Sequence, residues 1–281
     1  MTQNTTAPLR GWQGDSDYFT FRELTRFEPE QVIDVLEGKV AGVVFRGMVS
    51  SRTCAELCER FWNSMARKER PSEELNYYLG AYHYHKTTEQ YLDESADVAE
   101  ELASVLDVAG NPIDVFRQGL TRALAPVTVR QAGHGDRQSC AALLRTWRGR
   151  GEFALKPHED LSQCSEPQQA DFEIQRVGEH SVCALNICLE NGTGGRLRYW
   201  NVRPDEASKR ELGLHYSGWP YPVELLSGYD SISLDVGPGD VYVFNGAHVH
   251  AVEPNTDPES RRTTLSGLFG FVDDQTVVFW T

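Results

Sequence analysis

A histidine and a carboxylate stand two residues apart within the segment 153–160, as His158 and Asp160. Residues i and i+2 of an extended strand point to the same face, so this imidazole and this carboxylate can converge on one metal ion. An H-x-D sequence also occurs by chance in surface loops. The pair therefore indicates a metal site only together with a further ligand from elsewhere in the chain.

Two more histidines follow an apolar strand far along the chain. Residues 237–240, Gly-Pro-Gly-Asp, are typical of a turn, and the apolar run after it leads to His248 and His250. Both histidines would share one face of an extended strand, so either one could complete a metal site with the H-x-D pair.

An arginine follows on the next predicted strand. After a polar turn at residues 253–260, we expect a return strand that forms a hairpin with the histidine strand and carries Arg262, Thr264 and Ser266 on one face. A cation beside a metal-binding histidine is costly to bury unless it pairs with an anion. A dicarboxylate cosubstrate would be such an anion.

Two histidines and one carboxylate on one face of an octahedron form the facial triad of non-haem Fe(II) oxygenases, which leaves three coordination positions open. Two of them suit the 1-carboxylate and 2-keto oxygens of 2-oxoglutarate, and the third suits dioxygen. The distal carboxylate of 2-oxoglutarate needs a fixed cation, for which a guanidinium is best shaped.

The order of these motifs resembles the double-stranded β-helix dioxygenases that depend on Fe(II) and 2-oxoglutarate. It runs H-x-D, then G-D-x-x-x-F-x-x-x-x-x-H-A-V, then R-x-T-x-S, and the segment 184–200 is similar to the L-N…G-G-x-L turn of that superfamily. The resemblance covers roughly residues 140–272. Chain length and motif spacing are most similar to the group of N-acyl amino-acid hydroxylases and carrier-independent halogenases.

The resemblance implies which residues hold the iron. The family pattern places the metal histidine six residues after the strand phenylalanine, which from Phe244 is His250. His158, Asp160 and His250 are then the catalytic metal ligands, and His248 is a neighbour that lines the pocket.

The resemblance also implies which residues bind the cosubstrate. The family pattern Arg-x-x-Leu-Ser/Thr fits Arg262 better than Arg261. We expect Thr264 and Asn186 to lie beside Arg262 in the 2-oxoglutarate site.

The function implied is hydroxylation of an unactivated C–H bond of a small molecule, an amino-acid derivative or natural-product intermediate. Halogenases of this family replace the metal carboxylate with Gly or Ala so that chloride can bind, whereas this chain has Asp160. Desaturation or cyclisation remains an alternative. A non-catalytic cupin-like binding protein is another, although such a protein has no need of Arg262.

The substrate pocket is expected to be apolar with a few polar groups, and the substrate to carry an anionic group. An aromatic insertion at residues 213–229 suggests a functional loop. Arg198 or Arg203 could hold the anion. The candidate substrate residues are Tyr199, Trp200, Trp219 and His83. Tyr199 and Trp200 could equally belong to the core, and His83 to a packed loop.

Predicted helices lie in the first half of the chain, and most predicted strands, which must position these residues, lie in the second half. Hydrophobic spacing predicts helices at 28–38, from Ser50 or Ser51 to about 65, at 93–106 and at 112–124. Short β-rich runs at 182–189, 195–200, 231–236, 240–244, 263–271 and 276–280 predict a sandwich or barrel. We expect one α+β domain over residues 1–281. Its helical layer at about 20–130 supports a jelly-roll core at about 140–281.

Composition restricts the partners and the location. The chain has 281 residues, with 27 Lys and Arg against 41 Asp and Glu, so its formal charge is −14. This charge argues against nucleic acid or an anionic membrane as the main partner. Neither a signal peptide nor a membrane span is evident, and the six cysteines read as reduced thiols, so we expect a cytoplasmic protein.

Overall fold

The computed structural model describes residues 8–70, 76–148, 152–257 and 259–281. In chain order, the strands of this part are β1 (Gly11–Trp12), β2 (Phe21–Leu24), β3 (Gly42–Phe45), β4 (Lys68–Glu69), β5 (Tyr77–Leu79), β6 (Thr128–Gln131), β7 (Gly133–His134), β8 (Arg137–Gln138), β9 (Leu143–Trp147), β10 (Leu155–His158), β11 (Val182–Glu190), β12 (Leu197–Trp200), β13 (Arg203–Pro204), β14 (Ser231–Leu234), β15 (Val241–Asn245), β16 (His250–Val252), β17 (Arg262–Asp273) and β18 (Thr276–Trp280). The α-helices are α1 (Pro29–Leu36), α2 (Ser51–Asn63), α3 (Thr88–Leu106), α4 (Pro112–Leu124) and α5 (Glu206–Glu211). Short 3₁₀ helices lie at Ser162–Ser165, Pro167–Gln169, Glu173–Glu179 and Val223–Leu226.

Eight of these strands form a double-stranded β-helix, the jelly roll that the sequence predicted. The major sheet contains the order β15-β11-β17-β9, and the minor sheet the order β14-β12-β16-β10. Most consecutive strands alternate between the two sheets. Residues that are distant in sequence, such as those of β10 and β16, therefore become antiparallel neighbours.

The centre of the major sheet is β11, which pairs with β15 on one side and β17 on the other. Its residues from Val182 to Leu189 are all buried, as expected of a strand covered on both faces. The helices α1 to α4 pack on this sheet. One hydrophobic core joins Leu57 of α2, Leu102 of α3 and Phe116 of α4 with Leu265 of β17.

The predicted helices are confirmed, with shifts at their ends. Ser50 caps α2, because its side chain accepts a hydrogen bond from the backbone N–H of Thr53. Helix α3 begins five residues earlier than predicted. Thr87 and Gln90 form a reciprocal capping box there, so the helix starts at Thr88.

The predicted hairpin between the histidine strand and the arginine strand is wrong. The chain leaves the major sheet after β15 and enters the minor sheet at β16, while β17 pairs with β11 and β9. Strands β2 to β6 also join the major sheet, so residues 20–130 supply sheet edges as well as helices. Sheet neighbours here are set by long-range packing, which local turn signals do not reveal.

In the ranges that the structure describes, no helix combines the length and the apolar character that crossing a membrane requires. A single domain and a cytoplasmic location stay predictions.

Candidate metal centre and pocket

The three predicted metal ligands come together at the ends of two adjacent strands of the minor sheet. His158 of β10 stands opposite His250 of β16 in the strand register. The Nε2 atom of His158 lies 4.0 Å from Oδ1 of Asp160, and Nε2 of His250 lies 3.5 Å from Oδ2. One possible ligand atom from each residue falls within 4.8 Å of the others, and all three residues are buried.

Backbone carbonyls orient both imidazoles. Nδ1 of His158 is 2.8 Å from the carbonyl oxygen of Lys156, and Nδ1 of His250 is 2.9 Å from that of His248. With the proton on Nδ1, each ring donates to its carbonyl and turns the Nε2 lone pair toward Asp160. Metal-binding histidines are commonly held in this way.

The electrostatics of the cluster fit a divalent cation. Burial, followed by the charge of His250, lowers the pKa of His158 to about 3, and burial lowers the pKa of His250 to about 4. Burial raises the pKa of Asp160 to about 6. Both rings are therefore neutral donors, and a bound cation would stabilise the carboxylate in its ionised form. The donor set suits Fe(II).

The imidazole of His248 forms hydrogen bonds with other residues through both of its nitrogens. Its Nε2 is 3.0 Å from the hydroxyl of Tyr18, and its Nδ1 is 3.0 Å from the carbonyl oxygen of Trp200. Both ring nitrogens are thus engaged, and the ring stacks on Tyr199 with 5.1 Å between centroids. The geometry favours His250 as the ligand.

Arg262 lines the same pocket as the three candidate metal ligands. Its Nε donates to the carbonyl oxygen of Gly195 at 3.0 Å, and its Nη2 donates to the hydroxyl of Tyr242 at 2.6 Å. Gly195 has φ of 60°, and a Cβ there would lie 2.4 Å from the side-chain oxygen of Asn191. The glycine of the G-G-x-L motif thus permits the turn whose carbonyl fixes Arg262.

The other predicted cosubstrate residues are distributed around Arg262. Asn186 and Ser266 line the pocket and are partners in the register of β11 and β17. Thr264 is fully buried, and its hydroxyl has no hydrogen-bond partner among the described residues, but it does not belong to the pocket lining.

Arg145 is a second cation in the pocket, and the sequence analysis missed it. It faces Thr264 across the pairing of β9 and β17 and lines the pocket together with Leu143 and Trp147. Its Nε is buried and finds no hydrogen-bond partner within the described part of the chain. The positive charge of Arg145 helps to lower the pKa of His158 and of His250, and it also acts to lower the pKa of Asp160, against the larger effect of burial. An arginine at an inward position of an apolar strand is the signal that could have revealed it.

The pocket between the sheets has a volume of about 370 Å³. Leu155, Leu197 and Val252 supply part of its apolar lining. The aromatic loop 213–229 contributes Ser217 and Trp219, as the sequence suggested for Trp219.

The segment from Tyr82 to Lys86 forms another wall. The rings of Tyr82 and Tyr84 stack with centroids 4.4 Å apart. His83 also lines the pocket, and its Nδ1 is 3.0 Å from the side-chain oxygen of Gln169. Lys86 is paired with Glu94 at 2.5 Å.

The structure does not bring the remaining candidates into the pocket. Tyr199 packs in a hydrophobic core and donates its hydroxyl to the carbonyl of Asn245 at 2.9 Å, and Trp200 lies in another core. Arg198 lies 3.8 Å from a carboxylate oxygen of Glu253. Arg203 rests over the ring of Trp12.

The sequence is similar to a known protein family and to a known enzyme. Residues 20–281 match the family model described as carrier-protein-independent halogenase WelO5. The chain is also 30% identical over 249 residues to an L-isoleucine 3(1)-dioxygenase of Pantoea ananatis (strain AJ13355), which covers 85% of this chain and 82% of that protein.

A solved structure shares the fold. The chain is similar to a novel N-substituted L-amino acid dioxygenase from Burkholderia ambifaria AMMD, with a TM-score of 0.61, 12% identity, and coverage of 90% of this chain and 91% of that one. The same enzyme in complex with alpha-KG gives a TM-score of 0.57 at 13% identity, over 89% and 90% of the two chains.

Proposed function

Because this chain belongs to the family of the carrier-protein-independent halogenase WelO5, and carries a carboxylate ligand beside its two histidines, we propose that it hydroxylates an unactivated C–H bond of an amino acid or amino-acid derivative. It is an Fe(II)- and 2-oxoglutarate-dependent dioxygenase. When bound, iron with 2-oxoglutarate and dioxygen supplies the oxidising power that replaces hydrogen by hydroxyl, with release of succinate and carbon dioxide.

The position of Asp160 carries this proposal. Its two carboxylate oxygens lie 4.0 Å and 3.5 Å from the Nε2 atoms of His158 and His250, so the carboxylate would supply the third protein ligand to a metal bound there. A halogenase needs that position for halide. The presence of all three protein ligands, including the carboxylate, therefore favours hydroxylation over halogenation in this member of the family.

The cosubstrate is proposed to lie between Arg262 and the triad. Arg262 would bind the distal carboxylate of 2-oxoglutarate, because it is buried and already held in place by Gly195 and Tyr242. Arg145 would bind the same cosubstrate nearer the metal, where its buried Nε lacks a partner among the described residues. Two fixed cations match the two carboxylates of 2-oxoglutarate.

The substrate is proposed to be an aliphatic amino acid or a derivative of one, with its anionic group retained. The Pantoea relative is described as acting on L-isoleucine, and the pocket wall includes Leu155, Leu197 and Val252, which suit an aliphatic side chain. The wall made by Tyr82, Tyr84 and Trp219 would orient that side chain toward the metal.

A substrate panel tests this proposal. Purified protein, Fe(II), 2-oxoglutarate and air are incubated with free and N-acylated aliphatic amino acids, and products are followed by mass spectrometry together with succinate. We expect a subset of the panel to gain one oxygen atom, with one succinate formed for each molecule of hydroxylated product. Succinate without any oxygenated product across free and N-acylated members would contradict the substrate class. Chlorinated products would contradict hydroxylation.

A further inference from the structure

The residue between two of the metal ligands, Glu159, is completely buried and faces away from the metal pocket. Neighbouring residues of an extended segment point to opposite faces, so the H-x-D spacing that aims His158 and Asp160 at the metal turns Glu159 to the other side. A buried carboxylate is costly unless it is paired and hydrogen-bonded. Its partners therefore show what it does.

The carboxylate of Glu159 is held by its own chain and by helix α5. Oε2 accepts hydrogen bonds from the backbone N–H groups of Leu161 at 2.7 Å and Ser162 at 3.0 Å, and Oε1 accepts from the hydroxyl of Ser162. Oε1 also lies 3.6 Å from Nζ of Lys209, which is itself buried. The second partner of Lys209 is Glu206, at 3.2 Å and exposed.

The same residue contacts the aromatic loop. The backbone N–H of Glu159 donates to the carbonyl oxygen of Gly218 at 3.0 Å, and that of Tyr221 donates to Pro157 at 2.8 Å. A Cβ at Gly218 would lie 2.3 Å from the backbone oxygen of Glu159 and 2.8 Å from Oε1. Gly218 also has φ of 61°, so this close approach depends on glycine there.

Lys209 connects to this loop as well. Its carbonyl oxygen accepts a hydrogen bond from Leu214 at 2.7 Å, and the carbonyl oxygen of Leu214 accepts one from Gly218 at 2.8 Å. The ion pair and these backbone hydrogen bonds thus connect Glu159 with Gly218 through Lys209 and Leu214, in addition to the direct hydrogen bond between Glu159 and Gly218. On either side of Gly218 stand Ser217 and Trp219, the two residues of this stretch that line the metal pocket.

We infer that Glu159, through its ion pair with Lys209 and its contact with Gly218, is a positioning residue that sets the substrate-facing loop relative to the metal ligands. The inference rests on the proposed function for the meaning of the pocket. The segment from His158 to Asp160 thus supplies two of the three proposed metal ligands and also holds the pocket wall that orients the substrate. Misplacing that wall should affect which C–H bond reacts more than whether the cosubstrate binds.

The variant Glu159→Gln tests the ion pair, because glutamine keeps the shape and the acceptor for the backbone N–H groups while removing the charge that faces Lys209. We expect hydrogen exchange of the backbone amides of residues 217–219 and 221 to rise about tenfold in the metal-free protein, on the order of the loss of one interaction with a charged group. With substrate, succinate formation should exceed product formation, and the substrate KM should rise. The 2-oxoglutarate KM should stay near that of the unmodified enzyme.

Two further variants complete the test. Gly218→Ala should reproduce the exchange and coupling changes even if Glu159→Gln does not fold, because it displaces the loop directly. Glu206→Gln removes only the exposed partner of Lys209 and should change neither. The inference is overturned if Glu159→Gln keeps unmodified exchange at residues 217–219 and 221. It is also overturned if Glu159→Gln chiefly weakens metal and 2-oxoglutarate binding. The exchange measurement needs no turnover, so it stands even if the proposed substrate class fails.

Discussion

The backbone N–H of Asp160 donates a hydrogen bond of 2.8 Å to the carbonyl oxygen of Gly246, and a Cβ at Gly246 would lie 2.7 Å from Oδ2 of Asp160. Gly246 is the point at which the chain leaves the major sheet on its way to His250. The carboxylate that we propose as a metal ligand is therefore held in place by the same segment that connects the two sheets and leads to His250.

We predict that Gly246→Ala weakens metal binding, because the added methyl group must displace the carboxylate of Asp160. Loss of support around a metal ligand typically costs about 10–100-fold in affinity, and we expect a change of that size in Fe(II) or Co(II) titrations without oxygen. Gly178→Ala is the matched control, since a Cβ at that exposed glycine meets nothing within 4 Å. Equal metal affinity in both variants would show that Asp160 has room to move.

Neighbouring arginines allow a sharp test of the cosubstrate site. Arg262 is buried, whereas Arg261 is half-exposed and pairs with Glu190 at 3.2 Å. Losing one partner of a buried charge pair costs about 3–5 kcal/mol, so Arg262→Leu should raise the 2-oxoglutarate KM by two orders of magnitude or more. Arg261→Leu should change it little. The reverse result would place the cosubstrate cation one residue earlier.

The role of Asp160 is tested by removing its carboxylate. Asp160→Gly removes the proposed third protein ligand of the metal, and we expect hydroxylation to be lost, with at most slight chlorination at high chloride concentration. Product mass spectra of this variant and of the unmodified enzyme, with and without chloride, give the measurement. Full hydroxylation by Asp160→Gly would remove this residue from the metal site.

The role of the aromatic loop is tested at its pocket-lining ring. Trp219 is partly exposed at the pocket, and its truncation opens one wall without touching the metal ligands. We expect Trp219→Ala to give mixed hydroxylation positions and about tenfold poorer coupling of succinate to product, because small misplacements of a reacting bond cost large factors in rate. Trp12→Ala, an exposed tryptophan outside the pocket lining, is the control. Identical regioselectivity in both variants would exclude the ring from orientation.

The site was predictable wherever its chemistry follows from local spacing. The H-x-D pair follows from the two-residue period of an extended segment, whereas the choice of His250 over His248 rested on the resemblance to the family pattern. The structure brings the side chains of His158, Asp160 and His250 together. Arg145 was not predictable in this way. The run 143–147, Leu-Leu-Arg-Thr-Trp, reads as a core strand, and its place in the pocket depends on pairing with β17, more than a hundred residues away.

The fold shows the same division between local and distant information. The start of α2 followed from the cap at Ser50, which acts within one turn, whereas the capping box of Thr87 and Gln90 at the start of α3 was missed. The predicted hairpin of β15 or β16 with β17 was wrong, because β11 lies between β15 and β17 in the major sheet, while β16 lies between β10 and β12 in the minor sheet. Tyr199 and Trp200 were ambiguous for a related reason. An aromatic side chain in a strand faces either the pocket or a core, and only the packing of both sheets settles which.

The central claim is that His158, Asp160 and His250 hold an iron that uses 2-oxoglutarate to place one oxygen atom on a small amino-acid substrate. Turnover under isotopically labelled dioxygen tests it most directly, with product and succinate quantified together. The account predicts one labelled oxygen in the hydroxylated product and one succinate for each product molecule, both abolished in His250→Ala. A halogenated product, or unchanged turnover in His250→Ala, would contradict it.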